Sequence, residues 1–262
     1  MVKTGGRQKN PICYPGLPGG QPDGATVVYQ RPYPPGVSIM TCTNRPSRME
    51  NVIRSYLRQR YQPKELIIIL NNNSMSRKEW QWRVKGYSGI KVFQLDEKVS
   101  LGECYNSAVE HASFDYVAKF DDDDYYAPNF LGGEMAAFDY TYADIVGKSA
   151  RFIYFQDIST LAYHEAYPQF SYVSYVIGAT MIVRKEVFRH IKFRDITYGE
   201  DSEFQKDCLA AGRKIFSVDR YNYVTIRHHS SEPHTNPLED YAYLSYCIRC
   251  WKTRDFITPI TR

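Results

Sequence analysis

The run Phe120-Asp121-Asp122-Asp123-Asp124 constrains the chain more than any other stretch. It closes an apolar segment, Tyr116-Val117-Ala118-Lys119-Phe120, that reads as a buried strand. Two carboxylates about 4 Å apart repel by roughly 4 kcal/mol at an effective dielectric near 20. A fold that fixes four of them at a strand end must supply a cation, amide donors or open solvent there. A solvated acidic turn satisfies that demand as well as a functional site does, so the flanking sequence has to decide.

Order begins at Val37-Ser38-Ile39-Met40-Thr41, a short strand. Ser47-x-x-Glu50 then reads as a capping box opening a helix whose apolar stripe is Met49, Val52, Ile53, Tyr56 and Leu57. Glu65–Leu70 is a continuous apolar strand of the kind buried on both faces of a parallel sheet, ending in the turn Asn71–Ser74. A helix holding Trp80 and Trp82, a strand over 90–95, a loop at Val99–Gly102 and a helix through Asn106 to Ala112 lead to the acidic strand end. This alternation predicts a doubly wound α/β unit. Ligands sit beyond the carboxyl ends of such strands, so Thr41–Arg45, Asn71–Ser74 and Asp121–Asp124 are expected to line one crevice.

The second half is irregular. Pro128 opens a helix to about Tyr140. Strand-like pieces follow at 144–148, 151–158 and 173–183 around a Tyr-rich loop. A helix at 185–190, the loop Asp195–Glu200, a helix over 201–211 and strands near 214–218 and 223–228 come next, and 238–252 has the spacing of an amphipathic helix. Residues 1–36 stand apart: they hold half of the 14 prolines, and Lys3, Arg7, Lys9 and Arg31 against Asp23 supply most of the net charge of +4. A segment so poor in aliphatic residues cannot offset its ordering entropy alone. The expected layout is a Gly/Pro-rich basic arm over 1–36, one α/β domain over 37–235 and a C-terminal helical segment over 236–262. The domain's first half is doubly wound and mostly parallel; its second half is mixed.

A net charge this small and scattered argues against a nucleic-acid partner. No apolar run approaches the roughly 18 residues of a bilayer span, and the N-terminus has no signal-peptide core. Six Cys make no disulfide scaffold in 262 residues, and Cys247-x-x-Cys250 lacks a second metal-binding pair. A reducing, cytoplasmic setting is expected. The 23 Tyr suit both polyhydroxylated ligands and half-buried cores, and Trp80, Trp82 and Trp251 are assigned to packing.

Taken in order, the motifs resemble family 2 glycosyltransferases of the GT-A fold over about residues 37–235. Thr41-Cys42-Thr43-Asn44-Arg45 looks like that family's nucleotide-contacting turn, and Leu70–Ser74 like the segment after its second strand. Leu101-Gly102 with Asn106 is similar to its G-x-x-x-A-x-N segment, and Phe120–Asp124 to the usual form of its D-x-D metal motif. Gly178–Phe188 looks like the acceptor-side strand, and Gly199-Glu200-Asp201 with Glu203-Phe204 like G-E-D-x-E-F. The sequence departs from the family where Asn71 or Asn72 replaces an acid and Thr43 replaces a tyrosine.

The resemblance implies a metal-dependent, inverting transferase moving a sugar from a nucleoside-diphosphate donor, expected to be a UDP-sugar, to a hydroxyl acceptor. It implies donor contacts from Thr41, Thr43, Asn44, Arg45, Asn71, Asn73, Gly102, Asn106, Asp121 and Asp122. Mn²⁺ or Mg²⁺ would sit on Asp123 and Asp121, completed by His234 or His229 from the basic cluster Arg227, His228, His229 and His234. Asp201 is the implied general base, with Glu200 as runner-up, and Asp124 is assigned a structural role. The family suggests polysaccharide biosynthesis. The arm over 1–36 is a candidate for pairing protomers. A non-catalytic sugar-nucleotide or glycan-binding module is the alternative, and a sugar-nucleotide pyrophosphorylase would need a Gly-rich loop that Thr41–Arg45 lacks.

Overall fold

The computed structural model describes residues 34–228 and 239–262. Strand and helix alternate as expected through β1 (Val37–Thr43), α1 (Met49–Arg58), β2 (Lys64–Leu70), α2 (Arg77–Val84), β3 (Ile90–Gln94), α3 (Leu101–Glu110) and β4 (Tyr116–Lys119). After β5 (Tyr125–Tyr126) and α4 (Phe130–Tyr140) come β6 (Ile145–Gly147), β7 (Ala150–Phe155), β8 (Thr160–Glu165), β9 (Ser171–Val173) and β10 (Ile182–Arg184). The chain continues through α5 (Glu200–Ala210), β11 (Ile215–Ser217), β12 (Tyr223–Arg227), α6 (Asp240–Leu244) and β13 (Arg249–Lys252).

The main sheet runs β3-β2-β1-β4-β10-β6-β11-β9. Its first four strands are parallel, and β10 lies antiparallel between β4 and β6. Burial on both faces explains the unbroken apolar runs. Ile39, Leu66, Ile68 and Leu70 meet residues of α1, α2 and α4, including Ile53, Trp80 and Phe130. Met40, Ile67 and Ile69 meet Tyr105 of α3 and Phe204 of α5 on the other face. A second sheet, β13-β8-β7-β12-β5, packs the C-terminal part. No helix of the described residues is long and apolar enough to cross a membrane.

Three local expectations change. The stretch 173–183 is not one strand but β9, a 3-10 turn at Gly178–Thr180 and β10. The capping box does not form: Ser47 lies in a 3-10 turn at Pro46–Arg48, the position before α1 is Arg48, and Glu50 instead accepts from Arg83 at 2.7 Å. The expected helix over 238–252 is confined to the five residues of α6, and Arg249–Lys252 pairs with β8. Ile248 N–H donates to Tyr163 and Thr253 N–H to Ser159, at 2.8 and 2.9 Å. Satisfying the backbone of β8 outweighs a helical apolar stripe. Trp80 is buried, as packing requires, whereas Trp82 is exposed.

The loop that leads into α5 is bolted to α3. Asn106 Nδ2 donates to Phe193 O at 2.9 Å, and Phe193 N–H donates back to Asn106 Oδ1 at 3.0 Å. Gly102 N–H donates to Ile196 O at 3.0 Å, and a Cβ on Gly102 would fall 1.9 Å from Arg194 O. Replacing Asn106 by Ala strands both buried main-chain groups of Phe193. Urea unfolding should show a loss of about 1–3 kcal/mol.

Candidate functional site

The carboxyl ends of β1, β2 and β4 open on a cleft of about 400 Å³. Cys42–Arg45, Asn71 and Asp121–Asp123 line one side; Thr197–Asp201 line the other, with Leu101, Tyr105 and Lys119 between. Segments more than 150 residues apart in sequence thus face one space, as the strand order requires.

Each aspartate of the run meets a different partner. Lys119 Nζ lies 2.7 Å from Asp121 Oδ1 and 3.7 Å from Glu200 Oε1. Arg45 Nη2 bridges Asp122 and Asp123, at 2.8 Å from Asp123 Oδ2, and its Nε donates to Asp122 at 3.2 Å. Thr43 Oγ1 also donates to Asp122. Asp124 is buried and turned away from the cleft. It accepts from the Tyr223 hydroxyl and from Ile226 N–H, which bears out its structural role. Burial, with Asp123 and Asp121 nearby, pushes the Asp124 carboxyl well above its ordinary value. Burial works against the charge on Lys119, yet Asp121, Tyr105 and Glu200 hold its pKa well up. Arg45 is likewise held up by Asp122 and Asp123 against the cost of burial.

Across the cleft, Gly199 takes φ 76° and starts α5, so that Glu200 and Asp201 fall in its first turn. Glu200 is buried beside Lys119. Burial lifts its pKa to about 7; Lys119 opposes the rise, and Asp201 and Asp121 add to it. Asp201 is more open: Oδ1 accepts from Ser202 N–H at 2.7 Å, and Oδ2 lies over Gly178. A Cβ at Gly178 would stand 1.8 Å from that oxygen. Sequence reading marked Gly178 only as the start of the acceptor-side strand; the close approach of the Asp201 carboxylate gives it a second constraint that spacing does not show.

Not every implied donor residue reaches the cleft lining. Thr41 is buried in β1, and Gly102 and Asn106 hold the loop described above. Asn73 engages Asp96 and Glu97. Asn71 lines the cleft while its Nδ2 clamps the carbonyls of Asp96 and Val99, at 2.8 and 3.2 Å. His229 and His234 lie outside the described residues. His228 comes from the same cluster, and its Nε2 is 3.1 Å from the Asp123 carbonyl oxygen.

The family model for glycosyl transferase family 2 matches residues 38–194, more than half of the chain. The chain belongs to glycosyl transferase family 2. The matched span carries the acidic run and ends just before Glu200 and Asp201. TarS of Staphylococcus aureus, solved over residues 1–349 in complex with UDP-GlcNAc, aligns with 17% identity and a TM-score of 0.59, over 78% of this chain and 61% of that one. The same fragment solved without that ligand gives 18% identity and a TM-score of 0.57, over 73% and 60%. These likenesses show the GT-A fold. Poly-beta-1,6-N-acetyl-D-glucosamine synthase of S. aureus is 27% identical over 85 residues, 32% of this chain. The family 2 chain described here spans only 21% of that synthase.

Two outcomes follow from the Asp201 side. Gly178→Ala should keep the fold, read by circular dichroism, while displacing Asp201; a misplacement of about 1 Å costs on the order of 10²-fold in rate. Glu200 is protonated more readily in the folded than in the unfolded state, so folded protein binds the extra proton between about pH 4.5 and 7. Stability due to Glu200 therefore falls as pH rises through that window. Glu200→Gln should flatten this part of a melting-temperature profile.

Proposed function

We propose that this chain is a metal-dependent, inverting glycosyltransferase that moves a sugar from a UDP-sugar to a hydroxyl acceptor, with Asp201 as general base. The observation that carries it is the single cleft between Asp121–Asp123 and Glu200–Asp201. Family membership supports glycosyl transfer. The TarS complex with UDP-GlcNAc supports a uridine donor, as a property of a protein with the same fold.

The residues present fit a hard divalent ion such as Mn²⁺ or Mg²⁺. Asp121 and Asp123 offer carboxylate oxygens at the cleft wall, and no cluster of three or more His, Cys, Asp or Glu side chains that could hold a metal occurs among the described residues. An ion that takes one or two carboxylates and draws its other ligands from diphosphate and water suits that donor set. When bound, it would neutralise the leaving diphosphate. Arg45 would give up part of its hold on Asp123 and bring its own charge to the phosphates. Thr43, Asn44 and Asn71 would line the nucleoside end.

On the opposite wall an acceptor hydroxyl would meet Asp201, which would take its proton as the oxygen attacks the anomeric carbon on the face away from the diphosphate. Asp201 suits this better than Glu200, because Glu200 is buried against Lys119. One base and one displacement invert the anomeric centre.

Thermal melts with UDP, GDP, CDP and dTDP, each with and without Mn²⁺, test the donor side. UDP with metal should stabilise by about 2.7 kcal/mol at 100 times its dissociation constant. Asp201→Asn should keep that shift and lose transfer. No shift with any nucleotide, or an Asn variant with undiminished transfer, would overturn the proposal.

A further inference from the structure

The wall that carries Asp201 also carries an aromatic ring that the fold leaves in solvent. Tyr198 lines the cleft three residues before Asp201 and is 77% exposed. Tyr105 is the other aromatic among the described lining residues. It is buried, and Lys119 Nζ stands 4.9 Å from its ring centroid. Tyr198 is therefore the aromatic with a face to offer a ligand in the cleft.

The backbone under this ring is fixed on both sides. Before it, Ile196 O accepts from Gly102 N–H at 3.0 Å, and Phe193 is paired with Asn106. Arg194 is tied to α5 through Asp207 and Glu203, each at 2.7 Å. After it, Gly199 turns at φ 76° and α5 begins. An exposed ring is ordinary on a protein surface. A ring presented by a fixed loop at the wall of a polar cleft is preorganised for contact, because a tyrosine has only two χ angles to immobilise.

The chemistry of this wall says what that contact would be. Thr197 and Asp201 bring polar side chains to the lining, and Tyr198 brings a flat apolar face with a hydrogen-bonding tip. A pyranose matches both, with hydroxyls around its rim and C–H groups on its faces. An open-chain polyol or a serine side chain has the hydroxyl without the face. Asn44, Arg45 and Asn71, where the nucleotide would lie, are on the opposite wall. We infer that Tyr198 is the platform of the acceptor subsite, and that the acceptor is a glycoside whose sugar ring stacks on it while one hydroxyl reaches Asp201. This names the acceptor class and rests on the reading of Asp201 as the base.

Two measurements on the full chain test it. Saturation-transfer difference NMR, with UDP and Mg²⁺ present, uses methyl β-glucoside, methyl β-galactoside and methyl N-acetyl-β-glucosaminide, with glycerol and ribitol as open-chain controls. The ring C–H protons of at least one glycoside should receive saturation from the wild type well above the controls. Tyr198→Ala should weaken binding of that glycoside by about three- to tenfold, while Tyr198→Phe and Tyr198→Trp keep it. The Ala variant should retain the wild-type circular dichroism, since the ring is exposed. Glycosides no better than the controls, or equal binding by the wild type and the Ala variant, would overturn the subsite. Thermal melts with UDP and with UDP-GlcNAc separate acceptor from donor: Tyr198→Ala should leave both shifts as they are. A shift lost in that variant would assign the ring to the donor and overturn the inference. The NMR needs no turnover, and Asp201→Asn should keep the glycoside signal, so a wrong base shows separately, as transfer retained by the Asn variant. Failure of the underlying cleft assignment would show instead as a missing thermal shift with UDP and metal in the wild type.

Discussion

Four successive carboxylates can be held in one loop only when each is answered by a different neighbour, and those answers tie the molecule together. Asp121 is met by Lys119 from its own strand, Asp122 by Thr43 and Arg45 from the end of β1, and Asp123 by Arg45. Asp124 turns inward to Tyr223 and Ile226 of β12. Asn51 of α1 binds the carbonyls of Asp122 and Asp124, at 2.8 and 3.2 Å. One loop therefore fastens the main sheet, the first helix and the second sheet. It could not relax without leaving a buried carboxylate unpaired in a low dielectric, which costs far more than a surface pair contributes.

The same loop reaches the far wall of the cleft through Lys119 and Tyr126. Lys119 is buried between Asp121 and Glu200, so its charge is shared by the two walls. The Tyr126 ring stacks on Phe120 at 3.8 Å. Its hydroxyl accepts from Asp121 N–H and donates to Ala179 O. Ala179 follows Gly178, over which Asp201 lies. The separation of the two acidic walls is thus set by rigid groups, a stacked ring pair and a main-chain bond, and not by mobile surface chains. In the proposed reaction, that separation is what an acceptor hydroxyl and an anomeric carbon must share, and preorganised distances of this kind carry much of a displacement's rate.

The parallel half was legible because burial on both faces writes itself as unbroken apolar runs, and the acidic run sits at a strand end for reasons of charge. The second sheet was less legible. Its strands are short and Tyr-rich, and Arg249–Lys252 is a strand only because β8 offers an unpaired edge, a fact 86 to 92 residues away in sequence. Glu50 was drawn from its capping role by Arg83, again a tertiary partner. Among the motif positions, the cleft ends of each segment were readable: Thr43, Asn44, Arg45, Asn71, Asp121, Asp122, Asp123, Glu200 and Asp201 all reach the lining. Gly102 and Asn106 belong to the same resemblance but spend their chemistry on the backbone of Arg194, Ile196 and Phe193. Spacing along a helix says which face a residue occupies; it does not say whether a loop already fills the space in front of it.

On the Asp121–Asp123 wall, where the proposed nucleotide would lie, the cations already have partners from the chain itself: Arg45 has two aspartates, Lys119 two carboxylates. A ligand arriving there must compete with existing bonds, which suits a doubly charged diphosphate with a cation able to repay what it displaces.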